Sequence, residues 1–311
     1  MKHHYIPQFY LEPWVNRETD NKLTEFRRLK YPHEQIPRLE IKRRGKMETG
    51  FVENLYRVPG ATKATQQNVE RIFMGAVDKH AATARDMMLA GNIPTEPHIR
   101  HAWARFLLSL VMRTPEAVKA FKYKVRSDFL SPDPEFQGKY EELKKDGWPP
   151  TLEEYMLQRS PTLPERQAVI MITKLIQNQN VLKLMSGADW WLLDTSTRPN
   201  RKILTSDHPL IMSNGLGRPD GHFALPLSPR LVFVAFMNHG IGRGLQRIPL
   251  SRLMRDINDA VIGQGRRSVY AFDEDETRTV KRRMGKRDYM SPLPRNMLTL
   301  DDQKELVKIL G

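Results

Sequence analysis

The sequence predicts an α+β fold, a single domain over residues 1–311, and three features lead there. Apolar residues recur at three- and four-residue spacing through a helical middle at about 65–186. Short segments rich in Val, Ile, Phe and Trp follow between 188 and 272, as strands require. Two alternating segments near the amino terminus join the same sheet on this reading, so a β-rich frame surrounds a helical insert.

The chain opens with HHYIPQFYL at 3–11, too aromatic to remain a loose polar arm. Such a segment is expected to bury against the sheet beside residue 207. KLTEF at 22–26 and RLEIKRR at 38–44 alternate apolar and polar residues, with YPHEQIP as the loop between them. A hairpin or edge pair follows from that pattern. NLYRVPG at 54–60 ends in a Pro-Gly turn. A first long helix is expected from Thr65 to Gly91-Asn92, and Glu70 on its first turns faces a potential site. The second helix carries Trp103, Phe106, Leu107 and Leu110 on a wide apolar face and breaks at Thr114-Pro115. A third runs to about Phe129. Residues 131–150 are rich in Pro, Gly and charge and read as a lid or excursion. Thr151 and Glu154 form a capping box for a short helix, and Pro164 opens a helix that runs to Gly187.

Beyond that point WWLLDTS at 190–196 and KILTSDHPLIM at 202–212 are strand candidates, the second interrupted at Asp-His-Pro. FALPLSPRLVFVAF at 223–236 is a long β-rich run broken by its prolines. SRLMRDINDAVIGQG at 251–265 reads as a helix with Ser251 as its N-cap, and SVYAF at 268–272 as a central strand. Residues 273–311 form a basic tail with a short helix at about 300–310.

His-His-Tyr-Ile-Pro-Gln-Phe-Tyr-Leu resembles the opening of a bacterial family catalogued as a domain of unknown function, with a His-Tyr-(Val/Ile)-Pro-Gln-Phe-Tyr-Leu signature. Further landmarks follow in the family's order: NLY at 54–56, MRTP at 112–115, ILTSDHPLI at 203–211, LPLSP at 225–229, and an Asn258 helix before SVYAF. The family's usual Ser-Asp-Asn-Pro is Ser206-Asp207-His208-Pro209 here, so no role for an Asn carries over to position 208. The resemblance bears on domain limits and implies no particular chemistry.

Composition narrows the function classes. With 40% hydrophobic and 28% charged residues, a globular chain is expected. No apolar run is long enough to span a bilayer, and no secretory leader opens the chain, so a cytoplasmic location is the expectation. The absence of cysteine excludes disulfides and thiolate chemistry. Net charge of +14 and a pI of about 9.9 favour a polyanionic partner, nucleic acid first. Arg43, Arg44 and Lys46 in one segment and Arg282 and Arg283 in another are the nucleic-acid-binding candidates. The alternatives are edge-strand protection and solvated charge runs.

Two constellations carry chemistry. His4, rather than its neighbour His3, is the candidate general base or metal ligand. Asp207, at the end of an inner strand, is the candidate metal ligand or the carboxylate that orients an imidazole; the simpler account is an Asx-type turn. Arg113 at a helix end is the candidate phosphate clamp. No P-loop, His-Glu-Xaa-Xaa-His or nucleophile elbow is present. The expectation is a nuclease-like hydrolase, metal-assisted if a divalent cation binds, with a basic face guiding the nucleic acid. The alternative is a non-catalytic polyanion- or protein-binding module, such as a defence or immunity component, in which the motifs are latches.

Overall fold

The computed structural model describes residues 2–29, 37–56, 74–131 and 133–288. The expected helix starts at 65–73, Glu70, the 30–36 part of the hairpin loop and the 300–310 helix lie outside them. The α+β fold is observed, with antiparallel sheets around a helical middle.

The frame is divided among three sheets rather than one. Strand β1 (Lys2–His4) pairs with β4 (Phe51–Glu53) in a small ribbon. Strands β2 (Leu23–Leu29) and β3 (Arg38–Arg44) pair antiparallel, with β3 at the sheet edge, as the hairpin or edge-pair expectation allowed. They extend through β10 (Ser268–Ala271) to β6 (Thr205–Ser206), in the order β3-β2-β10-β6. Strands β5 (Asp189–Asp194), β7 (Ile211–Ser213), β8 (His222–Ser228) and β9 (Leu231–Phe236) form a separate sheet, ordered β5-β9-β8-β7. The amino-terminal arm therefore pairs with β4 through its backbone, reaches the β6 segment by side chains, and does not add a strand to the sheet that contains β6. The segment 202–212 leaves one sheet and enters the other, and its crossing point is Asp207-His208-Pro209.

After the arm's short helix α1 (Gln8–Leu11), the helices are α2 (Gly75–Leu89), α3 (Pro97–Met112), α4 (Pro115–Phe129), α5 (Pro134–Leu143), α6 (Leu152–Arg159), α7 (Leu163–Ile176), α8 (Gln179–Gly187), α9 (Leu250–Gln264) and α10 (Thr277–Arg283). Thr114 ends α3 and caps α4: its hydroxyl accepts from Ala117 N at 3.2 Å, with Pro115 at the first helical position. Thr151 caps α6 as its capping box requires. Two details depart from the sequence expectation. The helix through 164–187 is two helices, because Asn178 Oδ1 accepts from Asn180 N and Val181 N and starts a new one. Helix α9 begins after Pro249, with no side-chain cap from Ser251. The 131–150 excursion contains α5, capped by Asp133, and its Tyr140 and Trp148 rings gather with Tyr155 of α6.

Strand alternation explains how the second sheet is covered. Phe233 and Ala235 face the main core with Trp103 and Phe106 of α3. Val232, Val234 and Phe236 face the other way, toward Met254 and Val261 of α9. The arm completes the main core. Tyr10 and Trp14 are fully buried there. The Tyr10 hydroxyl lies 2.7 Å from Thr205 Oγ1, and Trp14 Nε1 donates to the Ile203 carbonyl at 3.0 Å. Both bonds land on the segment that leads into Asp207.

Replacing Tyr10 with Phe keeps the ring and strands the Thr205 hydroxyl in the core. Urea unfolding is expected to show a loss of about 1–3 kcal/mol, the cost of a buried polar group left without its partner.

Candidate functional site

The α3–α4 junction positions two polar clusters from one helix break. Arg113, fully buried, donates from both terminal nitrogens to Asp78 of α2, at 2.9 and 3.2 Å. One turn on, Glu116 reaches the opposite way and accepts from Arg267 Nε at 2.7 Å.

The first cluster opens to solvent. His4, Pro7, Gln8, Phe9, Met74, Gly75 and Asp78 line a cleft of about 250 Å³. His4 is half-buried, its Nε2 lies 3.3 Å from the Gln8 amide nitrogen, and its ring also bonds to the Met47 backbone. Burial pushes the His4 pKa below the ordinary histidine value, Lys2 and Arg113 add to this, and Asp78 opposes it. The neutral ring with an accepting nitrogen toward the Gln8 amide is thus the favoured form. Arg113 lies beneath the cleft with both amino groups on Asp78, so it fixes that carboxylate and has no free fork for a phosphate.

The second cluster is internal. Asp207 is completely buried, and its carboxylate accepts from the backbone N–H groups of Arg266, Arg267 and Ser268 at 2.9, 2.6 and 3.3 Å. His208 Nδ1 lies 3.3 Å from it, and His208 Nε2 lies 4.0 Å from Glu116. Burial opposes the Asp207 charge, yet the His208 ring and the backbone donors hold its pKa below the usual carboxylate value. The carboxylate therefore closes a long-range turn between two strand ends; the local turn is made by Ser206, whose hydroxyl accepts from His208 N. Glu25 extends the network, accepting from Thr49 and Ser268 hydroxyls at 2.7 Å each and pairing with Arg44 at 2.6 Å.

The sequence candidates thus separate. His4 and Arg113 share the neighbourhood of Asp78, whereas Asp207 belongs to the buried network. Tyr5, fully buried, is the link: it follows His4 in the chain and its hydroxyl senses the charges of Asp207, Arg267 and Glu116, which, with burial, raise or lower its pKa to a net value well above the ordinary one. Sequence patterning does not mark Asp78 or Glu116 as site residues. Asp78 reads in sequence as one polar residue on a solvated helix face, and only the buried Arg113 reveals its role. Among the described residues, no three His, Asp or Glu side chains converge as a metal site needs. His4 and Asp78 are two ligand residues with both Asp78 oxygens taken by Arg113, and Asp207 is occupied by backbone N–H groups. A divalent cation does not fit these residues.

The basic candidates are largely neutralised internally. Arg43 bonds Asp20 at 2.7 Å as well as Thr24 Oγ1 and two carbonyls, and Lys46 pairs with Glu12. Arg44 bridges Glu25 and Glu40. Arg283 pairs with Asp259 at 3.0 Å, while Arg282 is exposed on α10.

A family model described as "Protein of unknown function (DUF4238)" matches residues 2–275, and the chain belongs to that family. No curated protein and no solved structure matches it. No helix among the described residues is long and apolar enough to cross a membrane.

Two outcomes follow from this geometry. Asp207→Asn turns a donor toward backbone donors and is expected to destabilise the fold by about 3 kcal/mol in urea titrations, as breaking a buried charged network does. His3 is buried, stacks on Tyr56 and accepts from Tyr56 N at Nδ1, and burial lowers its pKa as it does that of His4. Both imidazoles are thus neutral in the fold and take up protons more readily when unfolded. Their contribution is complete above the unfolded value of about 6.5 and declines as pH falls below it. Melting temperature should drop between pH 7 and pH 5, less steeply in His3→Gln.

Proposed function

We propose that this DUF4238 member is a nucleic-acid-directed hydrolase of the nuclease-like kind, with His4 as its reacting base. The observation that supports this reading is the His4 cleft itself: a half-buried imidazole with a depressed pKa, beside a carboxylate held by a buried arginine. A base poised below its ordinary value is unprotonated at neutral pH and ready to accept a proton. In the proposed step, the Gln8 amide gives up its place at Nε2 to water, and His4 Nε2 removes a proton from that water. The water oxygen attacks phosphorus, and the bond to the leaving oxygen breaks, the leaving oxygen taking the proton back from the imidazolium. The resulting imidazolium is stabilised by the negative Asp78, which Arg113 keeps in place. The bond to the Met47 backbone orients the ring. The substrate class rests on the +14 charge of the chain. No step is routed through a metal.

A non-catalytic polyanion- or protein-binding module is the second reading. It is favoured by the internal satisfaction of Asp207 and the pairing of Arg43, Arg44 and Lys46, which makes these motifs latches of the fold.

Hydrolysis of bis(p-nitrophenyl) phosphate and of RNA or DNA oligonucleotides separates the two. His4→Ala is expected to reduce turnover by about 100-fold or more, the usual yield of a positioned acid–base group, while melting stays close to wild type. Asp78→Ala, which leaves the buried Arg113 without its carboxylate, is expected to lower both turnover and melting temperature. Wild-type protein without turnover on any of these substrates overturns the hydrolase reading.

A further inference from the structure

The +14 charge has a structured concentration away from the segment around Arg43 and Lys46. Strand β2 lies between β3 and β10, so its Arg27-Arg28 pair is carried to the entry of β10, where Arg28 N donates to the Arg267 carbonyl at 2.8 Å. The turn after α10 folds back onto the same place. Arg287 N donates to the Gly263 carbonyl at 3.0 Å, and Arg266 Nη1 donates to the Gly285 carbonyl at 3.1 Å. The Arg28 guanidinium rests against Gly285, in the space a β-carbon would fill. Gly285 has φ of +74°, so this turn suits glycine on two counts.

Two guanidinium groups, Arg28 from β2 and Arg266 from the turn between α9 and β10, therefore converge on one turn, and the exposed Lys286 and Arg287 continue from it. Arg282, also exposed, stands one turn earlier on α10. Among the described residues Arg28 has no ion pair, and Asp288, which is 99% exposed, lies 4.0 Å from Arg266. Like charges held together this way repel, and an anion laid across them relieves that repulsion.

We infer that the surface formed by Arg28, Arg266, Lys286 and Arg287 is the docking face for the phosphate backbone of a nucleic-acid strand. This rests on the hydrolase reading only for the fate of the strand after it binds. Guanidinium forks match phosphate oxygens in pairs, and arginine supplies three of the four groups. The side-chain chemistry also argues against a lipid surface. None of the exposed large apolar residues among those described belongs to this face, and Met284 beside it is buried, so none of the described residues there enters acyl chains. The residues at β3, by contrast, already have carboxylate partners.

The test is fluorescence anisotropy with a labelled oligouridylate and a matching DNA strand, in EDTA, over about 50 to 200 mM salt. Arg28→Gln/Arg266→Gln and Lys286→Gln/Arg287→Gln are each expected to weaken binding at least tenfold. Each should also reduce the slope of log K against log salt by about 1.4, two single-strand phosphate contacts. The second pair is exposed and carries the test if the first fails to fold. Wild-type affinity in Lys286→Gln/Arg287→Gln, or loss of binding only in Arg43→Gln/Lys46→Gln, overturns the assignment. So does wild-type protein that binds phosphatidylserine vesicles and neither oligonucleotide. Turnover of bis(p-nitrophenyl) phosphate by wild type and His4→Ala reports the cleft separately. Absent turnover with patch-dependent binding removes the hydrolase and keeps this surface; turnover with patch-independent binding does the reverse.

Discussion

The carboxylate of Asp207 is the constraint on which the architecture turns. The chain must pass from β6 in one sheet to β7 in another within a few residues, inside the protein. Backbone groups at such a crossing lose their ladder partners, and unpaired buried polar groups are costly. Asp207 meets three N–H groups at the entry of β10, and Gln264 donates from the end of α9 to the His208 and Leu210 carbonyls at 3.0 and 3.1 Å. The negative charge is itself unfavourable in the core, and the backbone donors with the His208 ring offset that cost. One side chain thereby ties both sheets and α9 together.

The break between α3 and α4 has a comparable role for the charged residues. Thr114 and Pro115 stop one helix and start the next, so Arg113 and Glu116 diverge although they are three residues apart. Arg113 enters the core and holds Asp78 at the cleft. Glu116 meets Arg267 beside the Asp207 network. Tyr5 lies between the two clusters because the arm that carries it is anchored at Gly50, whose carbonyl accepts from Tyr5 N and Ile6 N. The arm is thus a structural component of the core as well as the carrier of His4.

Charge in this protein is better understood by pairing than by count. Arg43, Arg44 and Lys46 stand in an overtly basic segment, yet each faces a carboxylate contributed by another part of the chain. Arg28 and Arg266 attract little notice in sequence and meet at Gly285. Exposed ion pairs such as Arg17–Glu12 contribute little stability, so their main effect is to reduce the net field of the surface that carries them.

Sequence alone determined the α+β class, the β2 and β3 strands, the Thr114-Pro115 break, the Thr151 cap, α9 and the central position of β10. These follow from local periodicity, capping and turn chemistry, which act over a few residues. It also marked HHYIPQFYL as buried, because so many aromatic residues have no stable place in water. Tertiary structure decided the rest. The division into separate sheets depends on which strands find one another, and apolar alternation specifies a face but no partner. Asp78, Glu116 and Arg28 acquire their roles from residues 35, 151 and 257 positions away, at Arg113, Arg267 and Gly285. Asp207 reads locally as a turn residue, and its binding of a distant strand entry arises only when β6 pairs with β10. Long-range pairing of buried charge leaves no periodic trace in a single sequence, and that is why the candidate site was legible as isolated residues and not as an arrangement.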